Sequence, residues 1–505
     1  MMKTKAKLIL ILTLLSVQFA CEDWMALIPP QGLIREEFWK TKEDVQAVLM
    51  GAYTSFGQMD NLFFIYGEIR GDLVKSDFNT SGDEKKVMES NIYPENGLCN
   101  WTGFYKIINF CNEVISFAPQ VKEIDNTFSD YQLKGYLSEA YFLRSLAYFY
   151  LVRVFRDVPL VLMPTSTDDA ELYLSKTDGD DVLDQMIIDL KQSINWATID
   201  GYPTLREVKS RATKAAIYAL LADIYLWKAS GSSDPSDYEA CISQVNNLIA
   251  LNKHHLLEGS DWFENYYPQT DPVSKETIFE FFFDDALNQR NHIYGMTQQY
   301  SNNYDPSQRA LEIFANEFTQ QASKREPNRG EDKSIAKIGE NNYIIWKYVG
   351  QRPDGKSVRS GIEASSANWI IYRLADVYLM KAEALSQINR FPEALAILND
   401  IRERANVQLL DLPNSASTFE DAILDERARE LAFEGKRWFD LLRMGRRNDY
   451  KRKSKLIEII VLNVPSTQKR VLATKLNNPL GWYMPIYDTE LERNKALVQN
   501  PYYNF

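Results

Sequence analysis

Apolar residues recur at spacings of three and four along most of the chain, the period of a helix with one buried face. Val45, Val48, Leu49, Ala52 and Phe56 keep that spacing. So do Trp101, Phe104, Tyr105, Ile108, Cys111 and Ile115. The spacing predicts helices over 43–56 and 101–115 with these side chains in the core, so Trp101 is a packing residue rather than a ligand contact. Between such segments the period breaks. Stretches 60–100, 157–175, 257–310 and 325–365 are rich in Gly, Asn, Asp, Pro and aromatics and are predicted non-helical. Within them, Thr277–Phe283 and Tyr343–Val349 read as strands. Long loops on a compact frame are where a binding site is expected.

Three segments carry a finer pattern, in which a large residue is followed by Leu and a small residue three and four later, then Tyr three beyond. Leu143, Leu146, Ala147 and Tyr150 fit it, as do Tyr218, Leu221, Ala222 and Tyr225. The third case runs through two helices: Tyr378, Ala382 and Leu385, then Ala394, Leu398 and Ile401. Its turn, Asn389–Glu393, places Pro392 where a helix can begin. The pattern resembles the tetratricopeptide repeat, in which the small residue lets the partner helix approach. The fold class is therefore mainly α: tetratricopeptide-like helix pairs as a scaffold, with a loop-rich part that contains short β-strands. Long insertions separate the pairs, which rules out a regular solenoid.

The first twenty residues are an address. Lys3, Lys5 and Lys7 precede the apolar run Leu8–Leu15, which is too short to span a bilayer. Ala20 then precedes Cys21. A signal that stops at a cysteine resembles a bacterial lipoprotein signal, with Cys21 as the acylated first residue of the mature chain and several acyl chains as its anchor. No later stretch is long and apolar enough for a membrane span.

Composition narrows the chemistry. The chain has 505 residues, with 45% hydrophobic and 25% charged, a globular balance. Its net charge is −12 and becomes −15 once residues 1–20 are removed, which argues against nucleic acid as a partner. Only three histidines occur, His254, His255 and His292, so a His-rich metal site is excluded. His255 with Glu258 lacks the further ligands that zinc needs. No Gly-x-Ser-x-Gly, His-Glu-x-x-His, Walker A or Gly-x-Gly-x-x-Gly motif appears. With Cys21 acylated, Cys99, Cys111 and Cys241 remain, an odd number that makes no disulfide framework. Cys111 on its apolar face is expected to be a buried free thiol, and a Cys99–Cys111 bridge is the alternative. Neither a metal nor a cofactor is called for.

The C-terminal third is the most specific. Residues 426–443 read ERARELAFEGKRWFDLLR and closely resemble the signature of the SusD/RagB family of outer-membrane nutrient-binding lipoproteins. Arg373–Leu379 and Ala382–Ala384 are similar to that family's helix before its last repeat. Pro485-Ile486, Gln499-Asn500-Pro501 and Tyr503 are similar to its closing motif. Gly51-Ala52-Tyr53, Cys111-Asn112 and Asp157–Leu160 extend the resemblance into the N-terminal half. On one continuous helix, Asp425 and Arg429 would sit four apart, and Glu426–Arg429 and Glu434–Arg437 three apart. Paired acids of this kind lose the high pKa that a general acid needs. The block is therefore read as a structural ion-pair network rather than a catalytic carboxylate pair.

The resemblance implies one SusD-like unit over 21–505. It would comprise helix pairs over about 43–250, a loop-rich ligand part over about 257–365, and a last pair with the family signature over about 366–505. It implies a lipid-anchored, cell-surface protein that captures glycan and delivers it to a SusC-like TonB-dependent transporter, without catalysis. The alternatives are a peptide-binding member of the same family and a surface scaffold for protein interactions. Family ligand residues tend to lie before the Trp101 helix and past the mid-chain strand. In the first loop this implies Asp72, Phe78, Tyr93 and Asn96. In the second it implies Arg290, Tyr294, Tyr300, Asn302 and Tyr304.

Overall fold

The computed structural model describes residues 38–166, 171–259, 274–284, 289–297, 303–319, 321, 324–340, 342–348 and 367–504. The N-terminal half is α1 (Lys42–Gly57), α2 (Asp60–Glu68), β1 (Val74–Ser76), α3 (Gly82–Met88), α4 (Thr102–Ile124), α5 (Asp130–Phe155), α6 (Gly179–Trp196), α7 (Leu205–Ser210), α8 (Lys214–Ser232) and α9 (Pro235–Ala250). The middle holds β2 (Thr277–Phe281), α10 (Ile293–Thr297), β3 (Tyr304–Pro306), α11 (Gln308–Phe314), β4 (Ile335–Lys337) and β5 (Tyr343–Ile345). Then come β6 (Trp369–Arg373), α12 (Leu374–Gln387), α13 (Phe391–Arg404), α14 (Ala416–Glu430), α15 (Arg437–Tyr450), α16 (Lys453–Leu462), α17 (Ser466–Leu476) and α18 (Asp488–Arg493).

The helix starts follow from the sequence. Thr41 and Ser129 each close a capping box with the residue three on, Asp44 and Gln132, satisfying backbone N–H groups that have no partner inside the helix. Pro235 and Pro392 sit in first turns, where a missing N–H does no harm. Antiparallel neighbours then pack in sequence: α1 on α4, α4 on α5, α5 on α6, α8 on α9, and α12 on α13. The small residues of the repeat pattern, Ala147, Ala222 and Ala382, are fully buried, and they admit the partner helices as expected. Trp101 is buried, and Cys99, Cys111 and Cys241 are buried free thiols. Among the described residues no helix is long and apolar enough to cross a membrane.

Three expectations change. Stretch 60–100 is not wholly non-helical. Residues Phe63–Glu68 of α2 are buried on every side, so the segment has no polar stripe to betray its period. Helix α3 begins at a capping box, Ser81 with Glu84, whose spacing was visible in the sequence. Stretch 257–310 likewise contains α10 and α11. The two expected strands are shorter than drawn: β2 ends at Phe281 and β5 at Ile345, one further bond in the β4–β5 register running from Trp346 N–H to the Ser334 carbonyl. Lys347 then buries its ammonium on Glu434 at 2.6 Å.

The signature block forms a network, but not along one helix. The chain leaves helical geometry between α14 and α15, with Phe433 at φ 65° and Gly435 at φ 69°. The break parts Glu434 from Arg437, whereas Glu426 and Arg429 stay on one helix, where Arg429 helps to lower the Glu426 pKa. Glu434 bonds Arg373 and Lys347, Arg437 bonds Asp72, Arg429 pairs with Glu326, and Asp425 pairs with Arg309. Arg329 reaches Glu326, Glu426 and Glu430 at 2.7, 2.6 and 2.8 Å. The acids therefore tie α14 to β6, α13 and the 326–329 turn rather than to their own helix.

This network gives stability a strong pH dependence. Burial alone would push the Glu430 carboxyl up, but Arg404, Arg373 and Arg329 outweigh it and hold it well below the usual range. Burial likewise opposes ionisation of Glu383, yet Arg443 and Arg447 bring it down to about 2. Glu426 and Glu434 are lowered in the same way. A carboxyl that is more acidic folded than unfolded contributes stability above its unfolded pKa, and that contribution disappears as pH falls toward the folded value. Glu68 has the opposite sign: burial raises it to about 8, so what it contributes is present in acid and lost toward pH 8. Burial raises Glu113, Asp180, Asp189, Asp237 and Asp400 as well, but by less than Asp376, Glu383 and Glu430 are lowered, and we expect denaturant titration to show a net loss of about 3 kcal/mol between pH 6 and pH 3. A midpoint that does not move would mean the carboxyls titrate alike folded and unfolded.

Candidate functional site

Two loops more than 200 residues apart in sequence meet because β1 pairs antiparallel with β3, Val74 opposite Pro306 and Ser76 opposite Tyr304. Beyond that ribbon the Asn303 carbonyl accepts from the Asp77 N–H at 3.0 Å and from the Thr80 hydroxyl. Asn303 also donates through its backbone to Met296 at 2.8 Å and through its side chain to Glu84 at 3.5 Å. The 77–80 turn is thus clamped to the segment that follows α10. A second clamp joins the turn's helix to the 93–97 loop, where Asp83 accepts from Gly97 N–H at 3.0 Å and from the Asn96 side chain at 3.1 Å.

The residues predicted from sequence divide on this frame. Phe78, at the clamped turn, is 90% exposed, the most exposed large apolar side chain among the described residues. Tyr93 is 45% exposed on the neighbouring loop. Tyr294 is half-buried in α10, which packs on α2 and β3. Three others belong to the frame. Asp72 is buried, its carboxylate taken by the Arg437 fork, while its carbonyl accepts from Ser307 and Asn463. Asn96 is buried and caps the turn at Gly97–Cys99. Tyr304 is fully buried in β3, its ring 5.5 Å from that of Phe64. All three side chains are buried, and Asp72 and Asn96 are engaged within the protein rather than displayed beside Phe78. Arg290 is exposed but stands apart, in the wall of a cleft at the other end of the segment. Tyr300 and Asn302, like Cys21, lie outside the described residues.

The sequence reading missed Thr80, Glu84 and Asn303, which hold the loops together. Glu84 was visible as the third residue of a capping box; Thr80 and Asn303 carry no local signal. At the cleft end of the segment, His292 donates through its backbone and ring to the buried Asp60 carboxylate, both at 2.6 Å. That bond raises the His292 pKa against the effect of partial burial.

What this region offers is one open aromatic ring, a half-open one, and a 77–97 loop held by hydrogen bonds at both ends. Fixed loops lose little entropy on binding. Among the described residues no group of three or more His, Cys, Asp or Glu is placed to hold a metal ion.

Comparison with known proteins agrees with the fold and the signature. Residues 283–503 match the model of the SusD family, and residues 27–226 match one described as starch-binding associating with outer membrane. A SusD-like protein of Formosa agariphila is 28% identical over 534 residues, covering 98% of each chain. A SusD superfamily protein of Bacteroides vulgatus superposes with a TM-score of 0.73 at 21% identity, covering 92% of this chain and all of that one. A laminarin-binding SusD-like protein superposes at 0.71 and 20% identity, covering 92% of this chain and all of that one. A mainly helical frame with this signature defines a class, and the chain belongs to it: it is a member of the SusD/RagB family.

Proposed function

We propose that the chain is a surface lipoprotein of the outer membrane that captures glycan at the 77–97 loop, where Phe78 and Tyr93 are exposed. Acyl chains on Cys21 hold it to the membrane, and a SusC-like TonB-dependent transporter receives the glycan. No bond is broken, so no catalytic group is required.

The observation that carries this reading is Phe78. Exposing a phenyl ring almost completely to water is unfavourable, and here it stands on a turn closed by two hydrogen bonds to Asn303 rather than on a loose loop. An aromatic face held out in this way suits the C–H face of a sugar ring, and Tyr93 is a second, half-open ring. The wording of the family description, starch-binding and outer-membrane associating, and the laminarin-binding relative in fold favour a glycan over a peptide.

Calorimetry of the mature chain against a panel of polysaccharides and peptides tests the reading, with products analysed in the same samples. We expect binding to a glycan without product release, and a loss of about tenfold or more in Phe78→Ala. Binding of peptides alone, turnover of the glycan, or full affinity in Phe78→Ala would each reject it.

A further inference from the structure

A cleft of about 610 Å³ opens at the other end of the 289–303 segment, within the size range of small-ligand sites. One wall is the outward face of α1, where Met50, Thr54 and Gln58 follow one another at intervals of four. The others are α7 with Arg211, the end of β2 with Phe282, and Gln289 to His292. None of the described residues that line this cleft belongs to the 77–97 segment that carries Phe78. Asp60, at the start of α2, holds His292 beside the cleft.

The charged groups around the cleft are engaged within the protein, and Arg211, Glu207 and His292 have partners of opposite charge. Arg211 forks onto Glu139 at 2.9 and 2.6 Å and reaches Glu207 at 3.4 Å. Glu139 also accepts the Tyr53 hydroxyl at 2.8 Å. Arg206 covers the Phe282 ring at 3.7 Å and lies 3.8 Å from Asp284. His292 is bound to Asp60, and Arg290 is engaged within the protein as well. What remains is neutral. Thr54, Gln58 and Gln289 line the cleft, and among the described residues their side chains have no hydrogen-bond partner.

A hydroxyl and two amides supply both donors and acceptors, which matches a ligand rich in hydroxyls. A purely apolar ligand would leave them unpaired, at a cost. An anion would meet arginines whose charge is already taken by Glu139, Glu207 and Asp284.

We propose that this cleft is a second saccharide-binding site, taking a neutral sugar unit with its hydroxyls on Thr54, Gln58 and Gln289 and its C–H surface on Met50 and Phe282. The proposal rests on the glycan-capture reading and extends it: the protein holds a chain at two places, the open face and the cleft.

Hydrogen exchange of the mature chain tests it, with maltohexaose, laminarihexaose and mannohexaose as neutral probes and oligogalacturonate as the acidic one. We expect at least one neutral hexaose to protect residues 48–58 and 205–212, and to do so equally in Phe78→Ala. Gln58→Ala combined with Gln289→Ala should weaken that protection about tenfold or more in probe concentration. Thr54→Trp, which fills the mouth from an exposed helical position, should abolish it and leave protection over 75–97 intact. Protection confined to 75–97, stronger protection by oligogalacturonate, or none from any neutral hexaose would overturn the cleft site. Protection of the cleft with none over 75–97 would uphold it and reject the Phe78 face instead.

Discussion

Arg373→Met is expected to destabilise the protein by about 3–5 kcal/mol, enough to unfold a large share of it at body temperature. Arg373 closes β6 and is fully buried. Its guanidinium bonds Glu434 at 3.0 and 2.9 Å, Glu276 at 2.9 Å, Glu430 at 2.7 Å and the Glu430 carbonyl at 2.7 Å. Methionine matches the apolar stem but leaves three buried carboxylates short of a partner. Arg404, Arg329 and Lys347 still reach those acids, which is why the loss is bounded rather than complete. Arg373→Lys should recover little, because an ammonium cannot reproduce the planar fork that serves three acids at once. Adding Glu276→Gln to Arg373→Met should restore part of the loss, since one fewer charge is left uncompensated. Guanidinium titration of the four proteins measures all of this. A loss below about 1 kcal/mol for Arg373→Met would mean that water or rearranged arginines neutralise the site.

The same residues show where sequence stops being informative. The helices over 43–56 and 101–115 were legible because each has a polar face to contrast with its apolar stripe. Helix α2 was not, because its second half is buried all round and the contrast is gone. In the signature block the composition correctly announced an ion-pair network, but the partners were misassigned. The pairing argument assumed one helix, whereas Gly435, itself visible in the sequence, marks the break that sends Glu434 and Arg437 in different directions. The site follows the same logic. Asp72 and Tyr304 have the right chemistry for a ligand and lie in the right loops. A three-residue strand pairing turns Tyr304 inward, and Arg437, 365 residues later, claims Asp72. Phe78 stayed outside because its neighbours, not its own side chain, make the clamp.

Gly67→Ala should have the largest effect of any glycine-to-alanine change among the described residues. Gly67 lies in α2 and its backbone is pressed onto the turn at Gly435. A Cβ at Gly67 would stand 1.8 Å from the Gly435 carbonyl oxygen and 2.3 Å from its carbon. Both obstacles are backbone, so no rotamer change relieves the clash. The turn cannot retreat either. Glu68 accepts from the N–H groups of Phe433 and Gly435 at 3.0 and 3.1 Å, and Gly435 itself holds φ 69°, a conformation glycine adopts without strain. Separating α2 from the turn would break those two bonds and disturb the seat of Glu434, and with it the Arg373 and Lys347 pairs. We therefore expect Gly67→Ala to be recovered, if at all, as an aggregated or protease-sensitive chain. Gly82→Ala is the control, since a Cβ there meets nothing within 4 Å and should leave the unfolding midpoint near that of the parent. The comparison isolates the contact from any general intolerance of alanine for glycine. If Gly67→Ala folds with a midpoint like that of Gly82→Ala, then α2 and the signature turn do not pack at this distance in solution, and the close approach ceases to explain why both positions are glycine.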